Sequence, residues 1–147
     1  MKNSQLGATP KTSVQIFGPA DLRAVELHVI AARAVLRTVR IAVQAQLDGS
    51  VTYENNEVQR WQPAVDLAVT KLALARDVLI DKAGSPAVDW YTPLSLLEAA
   101  GAALWHTTAC AKSERLDFVE LETVVQVAIE LLDSMREDME KKEVSHV

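Results

Sequence analysis

Apolar and polar residues segregate with helical periodicity along most of the chain, and four segments carry the pattern. The longest, residues 22–47, contains neither Gly nor Pro. At roughly 100° per residue, Arg23, Glu26, Arg33, Arg37, Arg40 and Gln44 fall within one polar arc, which reads as the solvent face. The remaining arc runs from Val25 and Leu27 through Val35, Leu36 and Val39 to Val43 and Leu47, wider than the stripe a surface helix needs. That excess predicts a helix packed on two neighbours, or on one neighbour and a second subunit. His28 lies near the middle of the apolar arc with Gln46 on the same side. A buried imidazole is costly unless hydrogen-bonded, so His28 reads first as a paired core residue.

Three further helices follow. Pro63 opens a second, in which Val65, Ala68, Leu72, Ala75 and Leu79 form one apolar line with Leu67, Leu74 and Val78 beside it. Thr92-Pro93 is expected to cap and start a third, where Gly101 sits among alanines; Gly costs about 1 kcal/mol relative to Ala in a helix, so its presence predicts a close approach by another helix. Asp117 and Glu120 have the spacing of a capping box for the fourth. There Phe118, Leu121, Val125, Ala128, Leu132, Met135 and Met139 alternate steps of three and four, a heptad seam expected to be satisfied within one bundle. The fold expected is all-α, an up-down-up-down four-helix bundle with helices near 21–48, 63–82, 93–112 and 118–141.

Between the first two helices lies a long connection, residues 49–62, holding Tyr53 and Trp61. It is read as a small hairpin about Asn55-Asn56 or as an irregular loop whose aromatics seal the end of the bundle. Gly49 is expected to supply the left-handed cap that closes the first helix. Residues 1–17 read as a flexible arm, residues 18–142 as one helical domain, and residues 143–147 as a frayed tail.

Composition narrows the function classes. Ala, Val and Leu dominate the 147 residues, and the single Cys110 forms no internal disulfide, so an oxidising compartment is not indicated. The longest unbroken apolar run, residues 99–105, is too short to span a bilayer, and no signal-peptide core stands at residues 1–17; the expectation is a cytoplasmic protein with no membrane association. The net charge of −5 is concentrated in residues 113–147, which hold four Lys/Arg against ten Asp/Glu. Nucleic-acid binding is therefore disfavoured, because phosphate affinity depends on concentrated positive charge.

Candidate chemistry is sparse. There is no Gly-rich phosphate loop, HExxH, CxxC or nucleophile elbow, and the two Glu-x-x-His motifs of the di-iron bundles are not present, Glu143–His146 standing alone, which lowers the case for an enzyme. His106 and Cys110 lie one turn apart, but a closed zinc site needs four ligands, and neither a metal nor another cofactor is expected. The carboxylates of Asp77 and Asp81 read as solvated surface for the same want of ligands. What remains is an interaction module, a regulator, inhibitor or chaperone-like adaptor acting by surface binding to another protein and self-associating into a homo-oligomer. The candidate binding residues are Arg23, Arg33, Arg37, Arg40, Tyr53 and Trp61, since Arg and aromatics are enriched in binding hot spots. The alternative is a bundle that binds a small ligand or acts as an enzyme through His28, His106 and Cys110 facing an internal cavity.

Overall fold

The computed structural model describes residues 19–50, 61–82, 90–112 and 117–146. They form four α-helices, α1 (Pro19–Leu47), α2 (Gln62–Lys82), α3 (Tyr91–Lys112) and α4 (Phe118–His146), with no strand among the described residues. The expected arm at 1–17 and the hairpin or loop at 51–60 lie outside the described residues.

The helix ends follow local chemistry. Pro19 begins α1, where its missing N–H would have had no intrahelical acceptor. At the other end the Asp48 amide donates to the Gln44 carbonyl at 2.9 Å, and Gly49 turns the chain at φ 82°. A residue with a Cβ is strained there, so the glycine is required by conformation. The capping box at α4 forms in both directions. The Glu120 amide donates to Asp117 Oδ1 at 2.8 Å, and the Asp117 amide donates to Glu120 Oε1 at 3.2 Å.

Two ends differ from expectation. α3 begins at Tyr91, with the Leu94 amide donating to the Trp90 carbonyl at 3.2 Å, so Trp90 and not Thr92 precedes the helix. Pro93 still falls within the first turn, where no amide is needed for the helical ladder. α4 continues to His146, past residue 141. Lys141 and Lys142 face Glu137 and Asp138 one turn back, a pairing that supports an exposed helix end.

One stripe per helix makes the core: Val25, Val29, Ala32, Leu36, Val39 and Val43 of α1; Val65, Ala68, Leu72, Ala75 and Leu79 of α2; Leu94, Leu97, Ala100 and Leu104 of α3; Leu121, Val125, Ala128, Leu132, Met135 and Met139 of α4. The heptad seam of α4 is thus consumed inside the molecule, with Phe118 half-buried at its start. α1 packs on α2 and α4, and α3 packs on the same two, so the four stripes converge on one core in a bundle-like arrangement.

The wide apolar arc of α1 is not used up by these two neighbours. Leu27 and Leu47 of that arc remain 49% and 46% exposed, Ile30 and Ile41, at 37% and 54%, lie among the arginines of the polar side, and on α2 Leu67 and Leu74 remain 48% and 43% exposed. Gly101 also departs from expectation, since a Cβ built there meets nothing within 4 Å. No helix presses on it; it borders open space.

Candidate functional site

That open space is a groove of about 280 Å³ between α2 and α3. Its α2 wall is Val69, Leu72, Ala73 and Arg76; its α3 wall is Leu97, Glu98, Gly101, Ala102 and Trp105. The helical repeat produces both walls. Val69, Ala73 and Arg76 recur at steps of four and three on the flank of α2 beside its buried line, and Glu98, Gly101 and Trp105 do the same on α3. Small side chains at 73, 101 and 102 leave the volume between the helices unfilled, while Leu72 and Leu97, buried in the core, form its floor.

The chemistry of the groove is apolar with one polar bridge. Trp105 stands at its margin 60% exposed, presenting a large flat apolar surface. Arg76 Nε donates to Glu98 Oε2 at 3.0 Å, tying the two walls together, and the Arg76 guanidinium also lies 3.8 Å from Asp77. The sequence carried a signal for this site that the buried-line reading passed over. Gly101 and Trp105 are one turn apart and off the core stripe, in a helix whose other residues nearby are mostly alanine.

The arginines expected to form a binding stripe are dispersed by their partners. Arg33 reaches Asp133 of α4 and Arg40 reaches Glu122, with Nε–oxygen distances of 2.6 Å and 3.4 Å. Both are half-buried at the α1–α4 seam, so the polar arc of α1 is in part an interhelical contact and not a free solvent face. The hydrogen bond from Arg33 to Asp133, and the carboxylate's charge, hold the guanidinium pKa above its ordinary value against the opposing effect of desolvation. Arg23 pairs with Glu26 on its own helix at 2.5 Å. Arg37 is exposed and makes no ion pair among the described residues.

Trp61 is half-buried against the core at the start of α2, and Tyr53 lies outside the described residues. His28 is half-buried on α1 and makes no hydrogen bond among the described residues, so the expected core partner is not found there. The side chains of His106 and Cys110 lie outside the described residues, which leaves the proposed convergence on His28 without a described geometry. Among the described residues no three His, Cys, Asp or Glu side chains gather as metal ligands. No helix of the described residues is long and apolar enough to cross a membrane. Compared with protein-family models, with characterised proteins and with solved structures, the chain matches none.

Proposed function

We propose that this chain is a small cytoplasmic interaction module, an up-down-up-down four-helix bundle with a long connection between α1 and α2, which binds a partner protein at the groove between α2 and α3. The topology is supported by the α1–α4 ion pairs. From Arg33–Asp133 to Arg40–Glu122 the contact moves forward along α1 and backward along α4, as it does between antiparallel helices. A lone cysteine supports a reducing compartment.

The groove carries the functional reading. An apolar cleft left open beside an exposed Trp105 offers the partner a desolvated anchor site, and the Arg76–Glu98 bridge supplies polar groups at its edge. The segment that fits is an amphipathic helix contributing a branched or aromatic side chain, laid along the small residues Ala73, Gly101 and Ala102.

Gly101→Leu tests the reading, because nothing lies within 4 Å of a Cβ at that position and leucine is a better helix former than glycine. The variant should fold and fill the groove. A protein captured from native extract by the wild-type chain should be lost with Gly101→Leu and kept with Val127→Ala, an exposed change on α4. Equal capture by all three would remove the groove as the binding site.

A further inference from the structure

The rim of the α2–α3 groove is acidic where its floor is apolar. On α2, Asp66, Ala73 and Asp77 recur at steps of seven and four, a line that borders the groove on its outer side. Both aspartates are exposed. On α3, Glu98 lines the groove directly, with its side chain 45% exposed. Among the described residues that line it, Arg76 is the only cation, and its guanidinium is shared between Glu98 at 3.0 Å and Asp77 at 3.8 Å. Lys71 and Lys82, the other cations of α2, fall on the opposite flank of that helix at about 100° per residue. Three carboxylates against one guanidinium leave this rim with two excess negative charges.

Trp105 adds a preference of the same sign. Its indole is 60% exposed at the groove margin, and the negative face of an aromatic ring attracts a cation that lies over it. The apolar floor selects an amphipathic helix, while the carboxylates and the indole select positive charge on the flanks of that helix. An anionic occupant, such as a nucleic-acid backbone or an acidic membrane, is repelled by the same rim.

Taking the groove as the binding site, as in the reading above, we propose that its occupant is a basic amphipathic helix of another protein. Its apolar residues cover Leu72, Leu97 and Gly101, while its Lys or Arg side chains meet Asp66 at one end and Asp77 with Glu98 at the other. The dimensions set the register. Asp66 and Asp77 are eleven residues apart, about 16 Å along α2 at about 1.5 Å per residue. A helix lying along α2 therefore needs basic residues about eleven positions apart, on either side of roughly two turns of apolar anchors. Eleven positions are about three helical turns, so the two bases project from one side of the partner.

Fluorescence anisotropy with the full chain and two labelled synthetic helices tests this. Both peptides carry leucines at helical spacing; one bears lysines about eleven positions apart beside them, and the other bears glutamates at the same places. The lysine peptide should bind at least about tenfold more tightly than the glutamate peptide, and should weaken as salt is raised. Asp66→Lys combined with Asp77→Lys should reverse the preference. Glu130→Lys combined with Glu137→Lys makes the same change of net charge on the exposed side of α4 and should leave the preference in place. Circular dichroism checks that every variant keeps its helices.

A lysine peptide that does not bind, or equal affinity for the two peptides, would overturn the proposal. So would equal losses with the α2 and α4 reversals, which would mark general attraction to a negative chain. Gly101→Leu separates the groove from the charge of its occupant. If the partner from native extract is lost with Gly101→Leu while the two peptides bind alike, the groove stands and its basic occupant falls. If the lysine peptide is preferred yet held equally by Gly101→Leu, the carboxylates act outside the groove and the proposal falls.

Discussion

Arg33 and Asp133 form a two-pronged contact between the first and last helices, with Nε 2.6 Å from Oδ1 and a second guanidinium nitrogen 3.2 Å from Oδ2. The geometry suits a planar guanidinium and would not survive replacement by lysine, whose ammonium is a single point charge. The pair is also partly exposed, which limits its strength. A double-mutant cycle on Arg33→Ala and Asp133→Ala, measured by urea unfolding, should give a coupling of about 0.5–1 kcal/mol that shrinks as salt is raised. A coupling near zero at low salt would show that the contact contributes register and not stability.

The same pair shows what was legible from the chain. The four helices and the stripe each buries were readable, because burial in a bundle imposes steps of three and four and the ends carry local signals such as Gly49 and the Asp117–Glu120 box. The partners of Arg33 and Arg40 were not readable. They lie on α4, 100 residues further on for Arg33 and 82 for Arg40, and periodicity places a residue on a face without saying which neighbour meets that face. Gly101 failed for a related reason. A glycine in a helix is compatible with a close approach or with a gap, and only the position of α2 decides between them. The groove was invisible because it is defined by what small side chains leave empty.

Leu74 was expected beside the apolar line that holds Leu72, yet Leu72 is 2% exposed and Leu74 is 43% exposed. Truncation should separate them. Leu72→Ala leaves a cavity and should cost about 2–5 kcal/mol in chemical denaturation. Leu74→Ala should change the stability of the dilute chain by no more than about 0.5 kcal/mol. Equal losses at the two positions would mean that the exposed side of α2 is buried in the folded monomer.

Removing the reciprocal cap at α4 should be felt locally. Asp117→Ala deletes the acceptor of the 2.8 Å bond from the Glu120 amide, and about 1 kcal/mol of stability should go with it. Asp117→Asn keeps an acceptor oxygen and should retain most of that stability. Amide hydrogen exchange should quicken in the first turn of α4 in the alanine variant and stay near the wild-type rate further along the helix.

Asp48 closes α1 by accepting from Ser50 twice, from the hydroxyl at 2.5 Å and from the amide at 2.8 Å. The hydroxyl bond, then the amide bond, hold its carboxyl below the usual aspartate pKa, against a smaller opposing effect of desolvation. A carboxylate whose folded pKa is depressed binds its proton less readily in the folded state than in the unfolded one. Its contribution to stability is therefore present above the unfolded pKa, about 3.9, and is lost as pH falls through the lower folded value. Carboxyl-detected NMR titration should show Asp48 protonating at lower pH than an unstructured aspartate. Ser50→Ala removes the larger cause and leaves the amide bond, so the midpoint should move up toward the ordinary value without reaching it. An unmoved midpoint would assign the depression to the amide at the end of α1 alone.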